Sequence, residues 1–204
     1  MNPETIAASL IHYTMKYLPS MNRQAVTNGS TQASPGANGS TLAETDQRIL
    51  LEEIVVLLPK QKKVTPTNFM LSLLRTPMLL HASHSCRETL EKRIGSQLDE
   101  AVLVDLLIPN MGYSVETLYD IECVQRILDF FLSANHEAAL LNSPAIVDGG
   151  QFSEGAESLT PMSMVASLVD GFLAEVAPDV NLKLPKFESL AATIPDYARP
   201  IDDG

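Results

Sequence analysis

Tryptophan is absent from this 204-residue chain, and five tyrosines with six phenylalanines bring the aromatics to only 5%. The core must therefore be assembled from Leu, Ile, Val, Met and Ala. Two cysteines, Cys86 and Cys123, are too few for the disulfide framework of a small secreted domain. They are expected to be reduced thiols packed as small apolar residues. No N-terminal stretch joins a basic region to an apolar run and a small-residue cleavage site. The longest apolar runs, such as Ile54 to Leu58, fall far short of the ~20 residues that a membrane-spanning helix needs. These absences predict a cytoplasmic chain without a membrane span.

Basic residues are scarce too. Fourteen Lys and Arg face 25 Asp and Glu, a net charge of −11, and the imbalance is confined to one half. Residues 1–100 hold ten basic against nine acidic side chains; residues 101–204 hold four against sixteen. Phosphate neutralisation needs clustered Lys and Arg, so nucleic acid and anionic lipid are excluded as direct partners of this chain. Lys60, Lys62 and Lys63 form the one basic cluster, in a loop after a helix C-terminus, where cations suit the helix dipole. Glycine is missing where phosphate chemistry would need it: ten glycines are scattered, and no Gly-Lys-Ser/Thr occurs. No glycine-flanked serine sits on a strand-to-helix elbow of the kind acyl transfer uses.

What remains is 45% hydrophobic and 19% charged, with a mean hydropathy of +0.06, a globular balance. Residues 22–41 hold one large apolar side chain, Val26, and cannot bury enough to offset their ordering entropy. They read as a disordered linker, with Ser34-Pro35 a candidate site for a proline-directed kinase. Before it, Ile6, Leu10, Tyr13 and Tyr17 mark a helix closed by Pro19. After it, a helix over 42–58 carries apolar residues at 50, 54, 57 and 58. Thr65-Pro66 supplies a capping hydroxyl and a proline for the first helical position. That helix runs through Phe69, Met70, Leu73 and Leu74 towards Leu80, with Pro77 as a kink or break. Ser85 caps the next, with Leu90 and Ile94 inward, and a short helix covers about 99–107.

The strongest stripe is Leu118, Ile121, Val124, Leu128 and Phe131, in a helix opening at Ser114. Residues 142–159 form a second loop. Thr160-Pro161 repeats the cap-plus-proline device before Met162, Val165, Leu168, Val169, Phe172, Leu173 and Val176. Pro185 starts a last helix through Phe187 and Leu190. The expected fold is all-α, a bundle of eight or nine helices ending in a proline-punctuated arm over 183–204.

Two groups could carry chemistry. His81, His84 and Cys86 offer two imidazoles and a thiol within six residues, the donor set of a small zinc-dependent enzyme. No second ligand pair lies at finger-like spacing, so capping a helix junction is the preferred role, with no metal and no cofactor. The late acids Asp148, Glu154, Glu157, Asp170, Glu175 and Asp179 fall in loops or on wet helix faces and read as a solvated surface, not a catalytic pair. The arm differs, because it keeps Phe187, Tyr197 and one Arg199 among Asp196, Asp202 and Asp203. That mixture suits a segment that docks a partner or wraps on the core.

Several motifs fall in the order of a known family. Phe187, Leu190-Ala191 and Pro195-Asp196-Tyr197-Ala198-Arg199-Pro200-Ile201-Asp202-Asp203-Gly204 close the chain. Leu73-Leu74-Arg75-Thr76, Met78 to Ser83, Cys86-Arg87 and Leu90-Glu91-Lys92-Arg93-Ile94-Gly95 lie in its middle. Asp105-Leu106-Leu107-Ile108-Pro109 and Tyr119 to Ile127 follow them. Together they resemble the plant non-phototropic hypocotyl/root phototropism adaptor family over residues 3–20 and 42–204.

The resemblance implies a non-enzymatic adaptor that works with blue-light receptor kinases, or in auxin-linked polarity at the plasma membrane. It also implies kinship with substrate receptors of cullin-based ubiquitin ligases. Family members carry an N-terminal BTB domain and often a C-terminal coiled coil. Neither is expected here, so cullin binding would need the absent BTB domain. The family motif continues past Asp-Asp-Gly with Leu-Tyr-Arg, which makes residues 1–204 a partial domain with apolar surface open to self-association. A helical spacer between BTB domain and coiled coil is the remaining alternative.

Overall fold

The computed structural model describes residues 2–18, 43–110, 117–141, 160–195 and 198–199. The linker 22–41 with Ser34, the loop 142–159, and Tyr197, Asp202 and Asp203 lie outside them. Eight α-helices occur among the described residues, and the only bridge between extended segments there joins Pro109 to Tyr119. The chain is all-α. It divides into two units, Met1–Ile94 and Gly95–Gly204.

In the first unit, α1 (Pro3–Tyr17) packs on α2 (Glu44–Leu57), and α2 packs on α3 (Thr67–Leu79); α4 (His84–Gly95) follows. Asn2 caps α1 by accepting from the Glu4 amide at 3.1 Å, with Pro3 in the first turn. The buried line of α1 is Ala7, Thr14 and then Leu18, one position round from the predicted stripe, and Tyr13 is exposed. Two small residues let the helix sit close. The Thr14 hydroxyl hides its polarity by donating to the Leu10 carbonyl at 2.7 Å.

Leu51, Ile54, Val55 and Leu58 form the inner face of α2 and meet a core that includes Phe69, Met70, Leu73, Leu74, Leu90 and Ile94. α3 begins at Thr67, one residue later than predicted, with Pro66 in the cap position and no side-chain cap. It continues through Pro77 without a break. The cap of α4 is Ser83, not Ser85: its hydroxyl accepts from the Cys86 amide at 3.4 Å, and its own amide donates to Glu52 at 2.8 Å. Arg93 donates to the Leu58 carbonyl at 2.8 Å and so closes the C-terminus of α2 from α4.

The second unit is arranged on one helix. A 3-10 turn (Leu98–Glu100), α5 (Leu103–Leu106) and α8 (Leu184–Thr193) all pack on α7 (Pro161–Val176), while α6 (Ile121–Leu141) packs on the 3-10 turn and on α8. The predicted 99–107 helix is split because Ala101 and Val102 are extended. α6 opens at Ile121, not Ser114, and Leu118 lies outside it. The Pro109–Tyr119 bridge draws 117–120 into extended backbone, with Asn110 donating to Leu118 at 3.0 Å and Asp120 to Ile108 at 2.8 Å. Asp120 then caps α6 through the Cys123 amide at 2.9 Å. Thr160 caps α7 as predicted, accepting from the Ser163 amide at 3.1 Å, and Pro161 stands in its first turn. Val165, Ala166, Val169, Phe172, Leu173 and Val176 are buried along it.

Gly95, the first residue of the second unit, lies against the backbone of α6. A Cβ there would lie 2.7 Å from the Ile127 carbonyl oxygen and 2.7 Å from the Phe130 Cβ. Neither atom can move without displacing helix backbone. Gly95→Ala is therefore expected to cost a net ~2 kcal/mol in urea unfolding, since overpacking outweighs the alanine helix preference. Wild-type stability in this variant would contradict the close approach.

Candidate functional site

Over its described residues the arm is built into the second unit, through α8 and through Arg199. At its start, Lys183 accepts from the amides of Lys186 and Phe187 at 2.9 and 3.2 Å, and Pro185 fixes the first turn of α8. Leu190 and Ile194 are buried, and Phe187 is half-buried. Beyond α8, Arg199 is spent on the protein itself. Its Nη2 donates to the Ala191 carbonyl at 2.8 Å and its Nη1 to the Ile194 carbonyl at 3.4 Å. Its Nε meets the Asp170 carboxylate at 3.2 Å. One guanidinium thus satisfies the open C-terminal carbonyls of α8 and ties them to α7, a task its planar fork suits. Ala198 is buried beside it.

Between α6 and α8 lies an open groove of about 290 Å³, lined by Ile121, Glu122, Gln125, Arg126, Lys186 and Ser189. Lys186 Nζ spans it to Glu122 at 2.7 Å, and Gln125 donates to the Thr193 hydroxyl at 2.9 Å. In the segment before α8, the Asp179 carboxylate accepts from the Leu118 amide at 2.6 Å and from the Asn181 amide at 2.9 Å. That clasp holds the 117–120 and 177–182 segments together and leaves Leu118 (66%) and Val180 (95%) in solvent. Leu184, at the head of α8, is exposed as well. Exposed apolar side chains and a groove rimmed by charged residues, both within the second unit, are the elements from which docking surfaces are made. Sequence periodicity missed Leu118 because its three-residue step to Ile121 mimics a helical stripe. The Asp120 cap, an acid directly before the apolar run, was the signal that separates them.

The His81, His84 and Cys86 cluster takes a different form. His81 stands at φ 50° in the turn before α4, and its side chain is exposed. His84 is exposed and 3.9 Å from Glu88. Cys86 is buried, and loss of solvent, with a smaller contribution from the Glu52 charge, pushes its thiol up to about 11. A thiol held in that form is a poor nucleophile and a poor metal ligand at neutral pH. Among the described residues no three His, Cys, Asp or Glu side chains converge as a metal site. Glu52, by contrast, is held below the usual carboxylate range, first by the Ser83 amide, then by its hydroxyl and Arg48. Cys123 is buried within α6. No helix among the described residues is long and apolar enough to cross a membrane.

The whole chain, residues 1–204, matches the NPH3 family. A BTB/POZ domain-containing protein of Arabidopsis thaliana is 58% identical over 205 residues, covering 100% of this chain and 34% of its own length. A second, also from Arabidopsis thaliana, is 49% identical over 208 residues, covering 98% and 31%. Root phototropism protein 2 of the same plant is 36% identical over 203 residues, covering 100% and 33%. The chain spans about a third of the length of the curated relatives it matches. No solved structure matches it.

Arg199→Ala should lower stability by about 2 kcal/mol, because two carbonyls lose a charged donor. Asp170→Asn should cost less than about 1 kcal/mol, since that carboxylate is half exposed and its ion pair is screened. Urea unfolding of both variants checks the order, and equal losses would contradict the role given to the carbonyls.

Proposed function

Because the chain belongs to the NPH3 family, we propose that it is a non-catalytic adaptor domain that docks signalling proteins in plant phototropic responses. The observation that carries this is the match along the entire chain, with Root phototropism protein 2 among the relatives. The partner is a blue-light receptor kinase or another member of the same family. A cullin is reached only through the BTB/POZ domain that the relatives' names record. The chain works in the cytoplasm, at the plasma membrane when a partner brings it there. The buried, protonated Cys86 thiol and the exposed, separate imidazoles support docking over metal-dependent catalysis.

The docking element in the second unit is the 183–204 arm. Its inner residues, Leu190, Ile194 and Arg199, hold it in place; its exposed head, with Leu184, Phe187 and the Lys186–Glu122 pair, meets the partner together with the exposed Val180 that precedes it in the chain. Tyr197, Asp202 and Asp203 are further partner-binding candidates of the arm. Ser34, followed by Pro35, is the candidate phosphorylation site for a proline-directed kinase.

Cutting the chain at Pro185 would strip Leu190 and Ile194 from the core, so the arm is better tested by surface changes. The double variant Val180→Asp, Leu184→Asp should weaken binding to a purified blue-light receptor kinase by roughly tenfold or more, with an unchanged thermal melt. Unchanged affinity would remove the arm's head from the interface. Absence of binding by the wild-type chain would overturn the kinase as partner.

A further inference from the structure

We propose that the outer stripe of α2 is a second docking face, and that its occupant is a basic amphipathic helix of a partner protein. A surface helix ordinarily turns one apolar stripe to the core and a polar face to water. α2 is apolar on two sides. Leu51, Ile54, Val55 and Leu58 are buried, yet Ile49 (48%), Val56 (74%) and Leu57 (61%) stand in solvent. Residues 49, 53, 56 and 57 recur at steps of four, three and one, so they share one face of the helix. With Glu52 they line an open groove of about 420 Å³, the larger of the two grooves described. Three large apolar side chains on one exposed stripe are a liability for a lone chain and an asset for one that binds there.

Charge selects the occupant. Two carboxylates stand at the middle of the stripe, between Ile49 at one end and Val56 and Leu57 at the other. Glu53 is exposed and has no partner among the described residues. Glu52 stays ionised because it accepts from the Ser83 amide at 2.8 Å. An acidic segment laid there would set like charges against each other inside an apolar frame. A second copy fares no better: paired antiparallel about a two-fold axis near Glu53, the stripe sets Glu53 against its own counterpart. A helix with Lys or Arg at its centre and apolar residues on either side satisfies both features. Ile49 and Val56 are two turns apart, about 10 Å along the axis. That is the i to i+7 spacing by which an incoming helix seats its anchors in a groove.

This deepens the adaptor reading and rests on it for its context, but its test reads the surface alone. The probe is a fluorescein-labelled synthetic helix of about 18 residues, long enough to hold helical structure. It carries Leu at i, i+7 and i+8 and Lys at i+3 and i+4; a control peptide has Glu in place of both Lys. In anisotropy titrations against the 204-residue chain, the Lys peptide should bind roughly tenfold tighter than the Glu peptide or better. Val56→Asp should abolish that binding, and Glu53→Lys should reverse the preference, with thermal melts like the wild type because both side chains point into solvent. Equal affinity for the two peptides, or binding indifferent to Val56→Asp, overturns the proposal while leaving the kinase experiment on the arm untouched. A concentration-dependent dimer in sedimentation that Val56→Asp dissolves would give the stripe to a second copy and overturn it too.

Discussion

The burial of one face of α7 is the constraint on which residues 95–204 depend. Val165, Ala166, Val169, Phe172, Leu173 and Val176 leave water together. The 3-10 turn, α5 and α8 are each too short to stand alone in water and hold their shape by packing on that face. Burial of a side chain the size of Phe172 contributes on the order of 2 kcal/mol, which is more than any ion pair nearby supplies. The polar contacts decide a different matter, namely where each short element ends.

That division of labour gives the lopsided charge a local meaning. Of the many acids after residue 100, Asp120 caps α6, Asp179 holds two loop segments by their amides, Asp170 receives Arg199, and Glu122 receives Lys186. A carboxylate is a strong acceptor for amides left open at helix starts and turns, so acidic residues are useful wherever short helices are numerous. Arg199 does the converse at the end of α8, where carbonyls need a donor. The proline-rich arm of the sequence is thereby part of the second unit over the residues described, with its exposed head turned outwards.

The fold class and most of the core were legible in the sequence, because helical periodicity is dictated by burial and survives local error. Thr160-Pro161 and the stripe from Val165 to Val176 specify α7 because cap, proline and apolar spacing agree there. Elsewhere local signals conflict with contacts made far along the chain. Leu118 fell in register with α6 by chance, and the bridge that removes it from the helix is a contact between Pro109 and Tyr119 that no local spacing encodes. Ser85 looked like a cap, but Ser83 won because Glu52, from another helix, fixes its amide. In α1 the small residues Ala7 and Thr14 took the core in place of larger neighbours. The outer stripe of α2 was hidden for a plainer reason: an apolar residue spaced for a helix looks the same whether its face meets the core or a partner. The family motifs at Arg93 to Gly95 and at Arg199 acquire physical causes, a capped carbonyl, a close helix approach and a clasped helix end.

The short elements of residues 95–204 are only as fixed as the α7 stripe on which they pack. Native-state hydrogen exchange on the 204-residue chain reads that dependence residue by residue. The amides of α7 from Val169 to Leu173 should be the slowest of residues 95–204, with α8 and the 3-10 turn opening before them. Exchange from α7 as fast as from α5 or the head of α8 would contradict the account.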